Sequence, residues 1–214
     1  NITDSGDVSV TGSGIFDAGA NAITLGDTTN ADFADLDVSG GTVQVAENSA
    51  TTLVGVSADS LTLTSGGAIT DAAVTAIAVT NLADLTANGG ASGITLGDNG
   101  GDTTNFGSLD ATGTTVTISE DSGTTIAGGT ITDLNLTSSG AIDDSGPVSV
   151  SGTATLTASG PADITLDEPA HDFGTVAVST GNNVTLVDAN AIALGGSTVS
   201  GTLDVTATND TITQ

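Results

Sequence analysis

The chain has 214 residues, of which 26 are Asp or Glu and none is Lys or Arg, for a formal net charge of −26. Phosphate contacts need cationic side chains that release counterions, so nucleic acid is excluded as a partner, as are anionic membrane surfaces. Cys is absent, which removes disulfide staples. The longest apolar run, within Ala72–Val79 and broken by Thr75, is far short of the ~20 residues of a membrane helix, so no membrane insertion is expected.

High acidic charge with four aromatic residues (Phe16, Phe33, Phe106 and Phe173) is one signature of disorder. Here the mean hydropathy is positive and Val, Ile and Leu recur at alternate positions along the whole chain. That pattern predicts a folded all-β protein. Ile23-Thr24-Leu25, Ile94-Thr95-Leu96 and Ile164-Thr165-Leu166 recur at a period of about 70 residues, each followed by one of Phe33, Phe106 and Phe173. Such a fixed period defines three units, roughly 3–71, 72–145 and 146–214, in one continuous repeat array over 1–214. Both ends fall at the same phase of the repeat and no secretion leader is recognisable at Asn1. The expectation is a segment of a longer array, or a chain that stacks head to tail with copies of itself.

In chain order, the first unit offers Val8-Ser9-Val10, Ile23-Thr24-Leu25, Leu36-Asp37-Val38, Val43-Gln44-Val45, Leu53–Val56 and Leu61-Thr62-Leu63. The second offers Ile77-Ala78-Val79, Leu82–Leu85, Ile94-Thr95-Leu96, Val116-Thr117-Ile118 and Leu134-Asn135-Leu136. The third offers Val148-Ser149-Val150, Ala154-Thr155-Leu156, Val176-Ala177-Val178, Val184-Thr185-Leu186 and Leu203-Asp204-Val205. Alternation turns the apolar residues inward and the Thr, Ser or Asp between them outward. Gly and Asn at Ser39-Gly40-Gly41, Asn88-Gly89-Gly90 and Gly195-Gly196 supply the corners. Such short strands at such close intervals suit a right-handed parallel β-helix, a β-solenoid of about nine coils in which each strand pairs with its equivalent above and below. The alternative is a string of immunoglobulin-like β-sandwiches, one per unit. Against it, a unit of about 70 residues is short for that fold, and its buried Trp and corner Tyr are absent. The Ala-rich Asp71–Leu85 is expected as further strand rather than as a helical turn.

The phrases SLTLTSGGAITD (residues 60–71), SGPVSVSGTATLTASG (145–160) and NNVTLVDANAIALGGSTVSGTLDVTA (182–207) resemble repeats of large bacterial surface adhesins of the filamentous haemagglutinin type. The resemblance covers the whole chain and is carried by V/L-x-V/L and S-G-G phrases. It implies a right-handed parallel β-helix, an extracellular, cell-surface location and a mechanical role. That role is a rod or filament segment of a surface or matrix fibre, stacked end to end, or alternatively the stalk of a secreted adhesin.

The strongest polar feature is an acidic loop after each Ile-Thr-Leu anchor: Asp27 and Asp32, Asp98 and Asp102, Asp167 and Asp172. Carboxylates and loop carbonyls are the ligands of Ca²⁺, so these six residues are the candidate metal ligands; solvated turn carboxylates are the plainer reading. Divalent cations are the natural partners, because stacked coils bring like charges together and no side-chain cation offsets them. His171 has no counterpart in the other units and is expected as a turn histidine rather than a ligand or base. No enzyme is expected. No Gly-x-Ser-x-Gly elbow with a partner His is present, no Lys or Arg is available for uronate chemistry, and no pair of acids stands out for glycoside cleavage. Scattered Thr-x-Thr pairs such as Thr62/Thr64 reflect β propensity rather than an ice-binding face. Asn-x-Thr sequences such as Asn135-Leu136-Thr137 match glycosylation acceptors, as an Asn- and Thr-rich chain will by chance.

Overall fold

A computed structural model describes residues 1–160 and 162–214. The alternating residues form eighteen strands in one continuous sheet, and among the described residues every strand pairing is parallel. One ladder runs through Ile2, Ile23, Val43, Leu61, Ala83, Leu109 and Ile126. On the same strand as Ile126, just before it, Thr124 pairs with Ile142, and the ladder continues through Ile164, Val184 and Leu203. The fold is therefore a parallel β-solenoid of about eleven turns. The turns differ in length: the step from Leu109 to Ile126 is short, and the step from Ala83 to Leu109, which includes an acidic loop, is long.

The immunoglobulin-like alternative is overturned by these ladders, because sandwich strands pair antiparallel. The expected nine coils are also too few, for a reason visible in the strands. They do not stop at the corners: Ala31–Glu47, Thr51–Ser65, Thr103–Glu120 and Thr124–Ser138 run for 15 to 18 residues. The first half of Ala31–Glu47 pairs with Val8–Asp17 and the second half with Ile23–Leu25. The strand bends between them at Gly40-Gly41, where a Cβ on Gly41 would lie 2.6 Å from the carbonyl oxygen of Ala20. Corners made inside strands use fewer residues than corners made by loops, so more turns fit the same chain.

Alternation does what the sequence implies. In Ile164–Leu166, and at residues 184–186, the apolar residues are buried and the Thr between them is only partly covered. The core is aliphatic from Ile23 to Ile192, with Phe33, Phe106 and Phe173 as its bulky members. Phe16 packs edge-on against Phe33, ring centroids 5.3 Å apart. The Ala-rich segment gives a tight turn followed by strand Ala76–Ala87. A 3₁₀ turn at Asn88–Gly90 stands where a glycine corner is expected.

Candidate metal centre

Each unit begins its acidic loop above an aspartate of the turn below. Ile2 pairs with Ile23, Ile69 with Ile94 and Ile142 with Ile164. This parallel register carries Asp4, Asp71 and Asp144 under the residue that follows the Ile-Thr-Leu anchor. The backbone N–H of that residue donates to the aspartate: Gly26 to Asp4 at 3.0 Å, Gly97 to Asp71 at 2.9 Å and Asp167 to Asp144 at 3.2 Å. Gly26 and Gly97 have φ of +72° and +71°, the left-handed region that glycine enters without steric cost.

A third position completes the arrangement. Two positions before each core Phe stand Ala31, Thr104 and His171, all with 0% exposure. In the third unit the imidazole Nδ1 of His171 accepts the Val148 N–H at 3.0 Å, and Nε2 lies 3.2 Å from Asp144 Oδ2. With Nδ1 as acceptor the ring carries its proton on Nε2, which donates to the carboxylate. Glu168 N–H adds a further bond to Asp144 at 3.1 Å. The expected turn histidine is thus a buried residue that ties one turn to the next. In the first unit the Thr29 hydroxyl donates to Asp4 Oδ2.

In the second unit Asp71 Oδ2 accepts the Gly97 N–H and Asp71 Oδ1 is buried without a partner, as Asp4 Oδ1 is in the first unit; what sets the second unit apart is Thr104 Oγ1, which is buried without a partner as well. Asp98 and Asp102 close over Asp71, with carboxylate oxygens of the three all within 4.8 Å of one another. Backbone donors set the loop: Thr75 N–H to Asp102 Oδ1 and Asn99 N–H to Asp102 Oδ2, each at 2.8 Å, while Asn99 Nδ2–H reaches Asp98 at 3.0 Å. Val74, beside this contact, has φ +64°, a strained conformation for a β-branched residue. Burial pushes the Asp71 carboxyl above its ordinary range, and the Asp102 and Asp98 charges add to the effect. The Thr75 N–H draws Asp102 below its ordinary range.

Of the six aspartates singled out in the sequence, only Asp98 and Asp102 are brought together with a third ligating group among the described residues. Asp32 lies on strand Ala31–Glu47, paired with Ser9, and Asp27 remains in the loop before it. Asp167 contributes its backbone N–H to Asp144, and Asp172 accepts from Asn190 Nδ2 at 3.2 Å. Asp71 and Thr104 are additions from the structure. The available signal was an aspartate at the same phase of each unit, at 4, 71 and 144.

A second set of acids lies inside the solenoid. Glu47 and Glu120 are 3% and 1% exposed. Glu47 accepts the Phe33 N–H at 2.8 Å and the Thr51 hydroxyl at 2.5 Å; Glu120 accepts the Phe106 N–H at 2.8 Å and the Thr124 hydroxyl at 2.6 Å. Asp188 repeats the pattern with the Phe173 N–H at 2.7 Å. The phrase Glu-x-Ser-x-Thr at 47–51 and Glu-x-Ser-x-Thr at 120–124 carries it.

These features define a parallel β-solenoid repeat protein whose units are linked by buried carboxylates. A family described as repeats of unknown function (DUF5649) matches residues 1–36, 40–110, 112–180 and 181–214, and the chain belongs to that family. The two central matches share the long period read from the sequence but divide the chain at a different phase. No curated protein and no solved structure matches the chain.

Proposed function

We propose that the chain is a structural segment of an extracellular rod or fibre, extended by further turns from the same polypeptide or from another copy. The observation that supports this reading is the parallel ladder that runs from Ile2 to Leu203, with one step between Ile126 and Thr124, around an aliphatic core. Each turn is held by main-chain bonds to its neighbours, which is how a solenoid becomes a stiff one-dimensional body. The chain's resemblance to surface-adhesin repeats supports the cell-surface setting, and the stalk of a secreted adhesin is the second form of the same role.

Negative-stain electron microscopy of the purified chain tests the proposal. At about 4.8 Å per turn, about eleven turns give a rod on the order of 50 Å long. Rods of that length, or filaments with that repeat along their axis, are the expected images. Globular or shapeless particles would count against a rod.

A further inference from the structure

We infer that Asp71, Asp98, Asp102 and Thr104 form a binding site for one hard divalent cation of the Ca²⁺ class, joining two consecutive turns of the solenoid. The inference stands on side-chain geometry and does not depend on the rod reading.

Three carboxylates converge with their oxygens within 4.8 Å, about the distance across a Ca²⁺ shell whose ligand bonds are roughly 2.3–2.6 Å. No Lys or Arg exists anywhere in the chain to neutralise them. The second observation is independent of the acids. Thr104 is completely buried, yet its hydroxyl has no partner. A buried polar oxygen without a partner is rare in folded proteins and calls for a ligand.

The third unit indicates where that hydroxyl points. His171 occupies the position of Thr104, and its Nε2 bonds to Asp144, the counterpart of Asp71. Thr104 Oγ1 lies 2.9 Å from where a Cβ on Gly97 would stand, and it is the Gly97 N–H that holds Asp71. The shorter threonine makes no bond to the aspartate where the imidazole of the other unit does. The first unit, with Ala31 in this place, has no oxygen there. Within the second unit, Asp102 is already fixed by two backbone N–H groups and keeps free lone pairs for a metal. Asp98 is exposed, so water completes the shell from the solvent side.

Isothermal titration of the 214-residue chain with CaCl₂, paired with thermal melts, tests the site. The expected result is saturable binding of one Ca²⁺ per chain and a raised Tm. Asp71→Asn should weaken binding by about tenfold or more, Thr104→Val should weaken it measurably, and Asp27→Asn with Asp32→Asn should leave it unchanged. Far-UV circular dichroism checks folding; should Asp71→Asn not fold, the double variant D98N/D102N on the exposed loop replaces it. The inference is overturned if the wild type gives no saturable heat, or if the loop and Asp71 variants bind like the wild type. It is overturned equally if NaCl at matched ionic strength raises Tm as much as CaCl₂ does.

Discussion

Glu47 and Glu120 are buried carboxylates without a basic partner, held only by a backbone N–H and neighbouring hydroxyls. Burial outweighs those donors and pushes both carboxyls above the ordinary glutamate value of 4.5. The charges facing them, Asp32 at Glu47 and Asp121 at Glu120, act in the same direction. The folded chain therefore binds these protons at a higher pH than the unfolded chain. Stability rises as pH falls through the raised native values, is fully gained below 4.5 and is lost again as pH rises. Asp7 and Asp163, whose bonds from the Asn30 and Asn183 N–H groups hold them below 3.8, take stability away only when pH falls past that point. Urea midpoints should thus increase from pH 7 to pH 5. The double variant E47Q/E120Q should show a smaller increase; an identical slope would mean these two residues are not its source.

At the scale of the strand, the corners decide the geometry. Gly107 lies inside strand Thr103–Glu120, and a Cβ there would overlap the Thr80 carbonyl oxygen. Gly89, at φ +56°, would meet nothing within 4 Å. Gly107→Ala has to displace main chain in the adjoining turn, which costs more than about 2 kcal/mol. Gly89→Ala carries only its conformational penalty of about 1 kcal/mol. Guanidinium unfolding of the two variants measures the difference, and equal losses would show that the turns are not in close contact at Gly107. The sequence marks Gly89 as a corner in Asn88-Gly89-Gly90 but gives no such signal at the lone Gly107. Alternation of Val, Ile and Leu with Thr and Ser made the parallel solenoid legible, since it states which side chains are inward. It does not state whether a glycine bends a strand or ends it, and for that reason the number of turns was not legible. The metal centre divides the same way. Asp98 and Asp102 are close along the chain and could be read together; Asp71 joins them from one turn below, through a register that exists only after folding.

For the molecule as a whole, contacts are made almost entirely between adjacent turns, as the ladder from Ile2 through Ile23, Val43 and Leu61 illustrates. Stability in such a body is a sum over turns and their interfaces rather than the property of one central core. The proposed cation would act within that sum. It would strengthen the interface between the turns of Ile69 and Ile94 and leave the interfaces farther along unaffected. The third unit ties the corresponding interface with His171 instead.

The parallel ladders also set how the rod would yield under tension. Their hydrogen bonds lie along the solenoid axis, so a pull on the two ends loads one terminal turn at a time. A turn of about 20 residues, drawn out, spans about 70 Å, against the roughly 4.8 Å it occupied when stacked. Stretched between optical traps, the chain should lengthen at low force in a staircase of increments of about 65 Å, the difference between those two lengths. A single long jump would mean that the turns share the load. Material of this kind would behave as a shock absorber, lengthening many times over before any covalent bond is strained.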